Sequence, residues 1–193
     1  MSSVSLMPPG AWEWTVDDLD RMPDDGLQYE LLDGLLLVTP APVPLHQHVA
    51  AQLFRTLDAA RTDEFLVFFA PLDWRPDRRT SLQPDLLVLR TEHWSPTKLT
   101  TDLQLVVEIL SPSTRRKDVM LKRSKYQDCG LPHYWIVDPG GSGDREPSVE
   151  ALALVDGSYL TTGTARGDQR LELAAPFPVT LVPADLAADP RTR

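Results

Sequence analysis

Short apolar runs of strand length alternate with longer stretches of helical periodicity along this chain. Residues 103–110 form a run rich in leucine, valine and isoleucine with one acidic residue inside it, which is typical of a central strand covered on both faces. Residues 65–70 and 84–89 have the same character. Upstream, apolar side chains recur every four residues from Leu45 to Leu57 and predict an amphipathic helix. These patterns predict a mixed α/β (α+β) fold.

Two Asp-Gly pairs predict tight turns between neighbouring strands. Residues 27–38 break into two apolar runs around Asp33 and Gly34, which is a strong signal for an N-terminal β-hairpin. Residues 148–162 break in the same way around a second Asp-Gly pair. The proline-interrupted stretch 171–182 is expected to add a short edge segment.

The composition is that of one compact domain. The chain has 193 residues, 42% of them hydrophobic, which suffices for one core and is small for two. We expect a disordered segment at 1–11, a single domain at 12–186 and a loose tail at 187–193. The single cysteine excludes an internal disulfide framework, and no apolar run approaches the roughly 20 residues that span a bilayer. We therefore expect a cytoplasmic protein without a membrane partner.

The net charge of −9 argues against a protein that coats nucleic acid through positive potential alone. The distribution of charge changes this picture, because six of the 19 basic residues fall within eleven positions directly after the 103–110 strand. Two interpretations stay open, a solvated helix face and a functional basic patch. The six residues are Arg115, Arg116, Lys117, Lys122, Arg123 and Lys125.

Two carboxylates are predicted to meet at one edge of the sheet. Glu108 interrupts the buried strand, and an ionised carboxylate there requires a cation, a metal or strong hydrogen-bond donors. Asp85 opens the preceding strand, and taken alone its Pro-Asp pair is ordinary turn chemistry. The loop 90–102 is long enough to lay the two strands antiparallel, which brings Asp85 and Glu108 together. Since like charges repel, a cation is expected between them.

A helix is predicted from Ser113, a good N-cap residue, to Gly130, a good C-terminal stop. Lys122 on this helix can point at the strand ends, although an ordinary surface pair with a neighbouring aspartate is the alternative. Val119 and Met120 are expected on the side that packs. Residues spaced four apart on one face of the helix are Asp118, Lys122 and Tyr126.

Taken in order, several of these segments resemble the Uma-two family of restriction endonucleases, a branch of the PD-(D/E)XK nuclease superfamily. The similarity extends over residues 12–183. Any one segment is weak evidence, and the set in this order is specific. The matching segments are Tyr29 to Gly34, Pro44 to His46, Pro84-Asp85, Glu108 to Leu110 followed by Ser111-Pro-Ser-Thr, Asp118 with Lys122 and Tyr126, and Gly130 to Pro139.

The resemblance implies a restriction-endonuclease-like mixed sheet of four or five strands flanked by helices, with Mg²⁺ or Mn²⁺ at one sheet edge. Asp85 and Glu108 correspond to the two metal-binding carboxylates. Glu30 corresponds to the acidic residue that the superfamily places on its first helix or the adjoining segment. The superfamily lysine usually follows two residues after the glutamate, but Leu110 stands there, so the resemblance assigns this role to Lys122.

The implied function is metal-dependent hydrolysis of phosphodiester bonds in nucleic acid, with DNA as the expected substrate and a homodimer as the expected assembly. Two alternatives stay open, namely an inactive module that acts through dimerisation or partner binding, and hydrolysis of another phosphoester. His46 is two residues from His48, a poor spacing for one metal, so an exposed or hydrogen-bonded histidine is favoured. Expected substrate contacts are Arg115, Arg116, Lys117 and Lys125, and expected supporting residues are Ser111, Asp118, Tyr126 and His46.

Overall fold

The structure is a computed structural model that describes residues 14–97, 100–111, 117–141, 145–189 and 191, with the side chains of 117–119 left out. The expectations for the segment 1–11 and for Ser113, Arg115 and Arg116 lie outside these residues. Those for the side chains of Lys117, Asp118 and Val119 do so as well.

The described residues form four α-helices, one 3-10 helix and twelve strands. In chain order they are α1 (Val16–Leu19), β1 (Gln28–Leu32), β2 (Leu35–Thr39), α2 (Pro44–Ala60), β3 (Phe65–Phe69), β4 (Trp74–Asp77), β5 (Thr80–Leu82), β6 (Leu86–Arg90), a 3-10 helix (Thr91–His93), β7 (Leu103–Ile109), α3 (Lys117–Asp128), β8 (His133–Asp138), β9 (Ser148–Val155), β10 (Ser158–Arg166), β11 (Leu171–Leu173), β12 (Val179–Leu181) and α4 (Pro183–Ala187).

The central sheet has six strands in the order β10-β9-β8-β7-β6-β3. Strands β7 and β8 are parallel and every other neighbouring pair is antiparallel, so the mixed sheet is confirmed. The resemblance implies four or five strands in this sheet, and the structure has six. The β9–β10 hairpin extends the sheet through its Asp-Gly turn, where Asp156 has a φ of 49° and Gly157 a φ of 77°.

A second sheet has four strands in the order β2-β1-β5-β4. The predicted N-terminal hairpin is its β1–β2 pair, with Asp33 at a φ of 50° and Gly34 at a φ of 86°. Both positive angles are what a two-residue turn needs to match the twist of the flanking strands. Strand β5 pairs with β1 at Leu31 and Ser81, which brings a segment fifty residues downstream against the hairpin.

Side chains of the central strands alternate between two cores, as a strand period of two requires. Leu105, Val107 and Ile109 of β7 pack in the core that α2 covers with Val49, Leu53 and Leu57. Val106 packs in the opposite core, together with Trp74 of β4 and Tyr126 of α3. Glu108 has the same parity as Val106, so this alternation turns its carboxylate toward α3.

Two expectations about packing are wrong. Met120 is 74% exposed, because α3 packs through the side that carries Lys122 and Tyr126 and Met120 lies on another side of the helix. The stretch 171–182 does not extend the edge of the central sheet. It forms the separate β11–β12 hairpin, whose apolar side chains complete the core under α2. Helix α4 ends at Ala187, the first residue of the expected tail.

None of the helices in the described part of the chain is long and apolar enough to cross a membrane.

Candidate metal and active site

Asp85 and Glu108 meet at one edge of the central sheet. Strands β6 and β7 are antiparallel with Leu86 opposite Val107, so the residue before β6 lies beside the residue after Val107. The Oδ2 atom of Asp85 accepts a hydrogen bond of 2.7 Å from the backbone N–H of Ile109. The predicted antiparallel pairing of these two segments is confirmed.

Lys122 enters the same place from α3. Its Nζ lies 2.9 Å from Oε1 of Glu30 and 3.2 Å from Oε1 of Glu108, and its side chain is only 9% exposed. The lysine is therefore a buried cation between two carboxylates, and the alternative of an ordinary surface residue is wrong. The next element after β7 is α3, and α3 places the Lys122 ammonium beside Glu108.

Glu30 is held by the four-stranded sheet. It lies in β1 and is buried, and its Oε1 accepts a 2.7 Å hydrogen bond from the backbone N–H of Gln83. The same oxygen accepts from Lys122. Glu30 thus anchors the ammonium, and each of the two sheets contributes one carboxylate to it.

Tyr126 fixes the orientation of Glu108. Its buried hydroxyl donates a 2.8 Å hydrogen bond to Oε1 of Glu108. The ring is held between Trp74, at a centroid distance of 5.4 Å, and Tyr134, at 5.3 Å. One turn of α3 therefore supplies both the ammonium and the hydroxyl that meet this carboxylate, as the spacing of four predicted.

Burial dominates the protonation of this cluster. Desolvation raises the pKa of Glu108 to about 7, although the charge of Lys122 opposes the rise. The charges of Asp85 and Glu30 add to it. Burial alone lowers the pKa of Lys122, but the charges of Glu108 and Glu30 outweigh it and the pKa lies above its ordinary value. With three carboxylates and one ammonium, the cluster favours a further positive charge.

His46 is buried in the first turn of α2 and contacts Asp85. Its Nε2 lies 3.2 Å from Oδ2 of that carboxylate. Burial lowers the pKa of His46, yet the hydrogen bond and the charge of Asp85 outweigh this and leave the pKa raised. Of the two alternatives for this histidine, hydrogen-bonded is confirmed and exposed is wrong.

Lys125 has structural partners. Its Nζ lies 2.6 Å from Oδ1 of Asp33 and 2.8 Å from Oδ2 of Asp77, and these contacts tie α3 to the β1–β2 and β4–β5 turns. The ammonium of Lys125 thus already binds two carboxylates. The expected contact between Lys125 and substrate stays a prediction. Lys117 and Asp118 begin α3, and Ser111 lies in the wall of the site's cleft.

The cluster lies in a cleft of about 880 Å³. The cleft also contains polar residues that the sequence did not single out, Gln28, Asp73, Arg75 and Gln83. The sequence does contain a signal for Gln83, because this residue directly precedes the Pro84-Asp85 pair and is therefore close to the predicted site. The other three belong to β1, β4 and the loop before β4, and only the pairing of the four-stranded sheet brings them to the site.

A family model described as "Uma2: Putative restriction endonuclease" matches residues 16–187. This chain belongs to that family. No match was found among curated proteins.

Among solved structures, the chain is similar to the crystal structure of a "putative nuclease belonging to DUF820" from Anabaena variabilis ATCC 29413. The identity is 16%, the alignment covers 91% of this chain and 98% of that one, and the TM-score is 0.67. At this level of identity the likeness shows that the two share a nuclease-like fold. The Uma-two resemblance and the mixed α+β fold are thus both confirmed.

The donors present in this Uma-two protein suit a hard divalent cation. Asp85 and Glu108 offer carboxylate oxygens, which Mg²⁺ prefers, and Mg²⁺ in proteins often binds one or two carboxylates and keeps several waters. Within the described residues, no three His, Cys, Asp or Glu side chains are placed to form a metal site by themselves. The third carboxylate of the cluster, Glu30, is paired with the ammonium of Lys122. The residues therefore fit a site with two carboxylates.

Proposed function

We propose that this protein is a metal-dependent nuclease that hydrolyses phosphodiester bonds of DNA, with Asp85 and Glu108 as the ligands of Mg²⁺. The proposal is supported by one observation above all, the arrival of two carboxylates and one ammonium from β6, β7 and α3 in a single cleft. Membership of the Uma-two family supports the nuclease class.

In this proposal the ion, when bound, supplies a Lewis acid that polarises phosphate and water and offsets negative charge in the transition state. Lys122 donates hydrogen bonds to the attacking water or to the phosphate oxygen on which charge develops. Glu30 positions that ammonium through its 2.9 Å contact. Tyr126 and His46 orient Glu108 and Asp85, so the ligands need little rearrangement.

The negative net charge of the chain opposes binding to the phosphates of DNA. With a net charge of −9, binding along a long duplex needs a local basic surface. We assign this task to the basic segment that joins β7 to α3 and includes Arg115, Arg116 and Lys117. In the sequence, that segment directly follows β7, the strand that carries Glu108.

The decisive test replaces each proposed ligand with its amide. Asp85→Asn and Glu108→Gln keep the size of the side chain and remove the charge that binds the metal. Cleavage of a labelled DNA in Mg²⁺ or Mn²⁺ is expected to fall by about 10²- to 10³-fold, a typical loss when a main electrostatic contribution is removed. Glu172→Gln, at an exposed position of β11, is the matched control and should cleave like the wild type. Unchanged cleavage in Asp85→Asn or Glu108→Gln would refute the proposed ligands.

A second candidate is favoured by the completeness of the ion cluster itself. Lys122 already has two carboxylate partners, so Glu30, Glu108 and Lys122 can serve as a structural ion cluster in an inactive module. Calorimetric titration with Mg²⁺ and Mn²⁺ separates the two functions, since a purely structural cluster has no reason to bind divalent metal. The proposed homodimer is tested in the same samples by sedimentation.

A further inference from the structure

Exposed apolar side chains form part of the lining of the cleft. Leu27 is 45% exposed and Val43 is 49% exposed, and both line this cleft. Ligand-binding clefts typically combine such apolar side chains with a few polar groups. Three prolines also line it, and flat proline and aliphatic faces are suitable contacts for a planar ring. They are Pro40, Pro42 and Pro71.

Polar groups in the same cleft form a hydrogen-bonded chain. The side chain of Gln83 donates from Nε2 to Oδ1 of Asp73 at 2.7 Å. Its Oε1 accepts a 2.8 Å hydrogen bond from Nε2 of Gln28. Because Asp73 accepts only, the chain fixes the orientation of both amides, and it uses one of the two hydrogens on each amide nitrogen. It therefore presents oriented donors and acceptors in the cleft.

The charges in this part of the cleft are unsuited to a phosphate. Among the described residues that line the cleft, the lysine and arginine side chains are Lys122 and Arg75, and both are bound to carboxylates, as is His46. Arg75 contacts Oδ1 of Asp20 and Oδ2 of Asp73, each at 2.7 Å. Since these acidic groups repel phosphate, the part of the cleft beyond Asp85 and Glu108 suits a neutral group with a flat apolar face and polar edges.

We propose that this part of the cleft binds one unpaired nucleobase of the DNA strand being cut. The inference rests on the proposed function, since it places the phosphodiester next to that nucleotide at Asp85 and Glu108. The faces of the base lie against Leu27, Val43 and the prolines, and its edge is bound by the Gln28, Gln83 and Asp73 chain. The substrate class is therefore single-stranded DNA, or duplex DNA from which one nucleotide has left the stack.

The test compares an intact base with no base at the same position. The cleavage position on a labelled single-stranded oligonucleotide is mapped first, and each nucleotide flanking it is then replaced by an abasic residue. Removing the bound base is expected to lower kcat/KM by roughly tenfold, the lower end of what a base stacked on an aromatic side chain contributes, because the faces here are aliphatic and proline. The bases farther along the strand serve as controls and should change kcat/KM little.

A variant identifies the protein side of the contact. Gln28→Leu is expected to lose part of the kcat/KM that removal of the base costs on the intact strand, and to cut the abasic strand as the wild type does. Gln104→Leu is the matched control, because Gln104 lies in β7 outside the lining of the cleft, and it should cut both strands normally. Equal losses for Gln28→Leu on intact and abasic strands would overturn the inference.

Binding separates this inference from the proposed function. Fluorescence anisotropy without divalent metal measures the affinity of intact and abasic strands whether or not cleavage occurs, and the abasic strand should bind at least several-fold more weakly. Equal affinities and equal cleavage rates for the two strands would contradict the base pocket and leave the metal site standing. Inactivity of the wild type, combined with tighter binding of the intact strand, would contradict the nuclease proposal and support the pocket.

Discussion

Replacing Lys122 with methionine should strongly destabilise the protein. The substitution keeps an unbranched side chain, one atom shorter, and removes an ammonium that lies 2.9 Å from Glu30 and 3.2 Å from Glu108. Breaking a buried ion pair by removing one partner costs about 3–5 kcal/mol, because it leaves an uncompensated buried charge. For a domain of this size, that corresponds to a fall in Tm of roughly 6–20 °C, at about 2–4 °C per kcal/mol.

The loss should depend on pH in a defined direction. A carboxyl group whose pKa rises on folding binds its proton more tightly in the folded state, so stability falls as the pH rises from the ordinary value toward the folded value. For Glu108 this interval runs from 4.5 to about 7. Without Lys122, whose charge holds the pKa down, the interval extends to higher pH. The destabilisation of Lys122→Met should thus be larger near pH 8.5 than near pH 5.5.

Urea unfolding at several pH values measures this effect. Arg170→Met is the control, because Arg170 forms an exposed pair with Glu172 and should stay within about 0.5 kcal/mol of the wild type. A double-mutant cycle with Glu30→Gln isolates the coupling between the two side chains, expected at about 0.5–3 kcal/mol. If Lys122→Met matched the wild type in stability near pH 8.5, the reasoning about a buried, charge-balancing ammonium would be refuted.

Three further predictions follow from neighbouring contacts. Tyr126→Phe removes the hydroxyl that donates to Glu108 and should cost about 1.5–3 kcal/mol in urea unfolding and slow cleavage. Lys125→Met breaks pairs with the exposed Asp33 and Asp77, so we expect a salt-sensitive loss below about 1 kcal/mol; a larger fall in kcat/KM than in stability would show substrate contact. Mg²⁺ should raise the Tm of the wild type, and Asp85→Asn should abolish the shift.

Much of the fold followed from local chemistry. The period of four in α2 and the Asp-Gly turns of both hairpins depend on near neighbours in sequence, and the structure has them where they were predicted. The pairing of β6 with β7 followed from the length of one loop, and it brought Asp85 beside Glu108. The spacing of four on α3 likewise predicted that Lys122 and Tyr126 share one face of the helix, and in the structure both contact Glu108.

Other features depended on contacts that no local pattern records. The expectation for Met120 is wrong because α3 is a short, mostly polar helix without a clear apolar face, so the side that packs depends on what it packs against. The sequence predicts an edge segment where the structure has the separate β11–β12 hairpin. Alternation of apolar and polar residues predicts a strand, but it does not identify the strand that pairs with it. Gln28 and Asp73 both line the cleft because β5 pairs with β1, and no local pattern predicts this pairing.

By itself, the sequence determined which residues alternate, where the chain turns, and that carboxylates at positions 85 and 108 would share a sheet edge. Only the tertiary structure decided that Glu30 and Lys122, 92 residues apart, would meet, and that their ion pair would be buried rather than solvated. The physical reason is the distance along the chain over which each effect acts. Propensities and periodicities act over a few residues, whereas the desolvation that raises the pKa of Glu108 depends on what packs around it from every side.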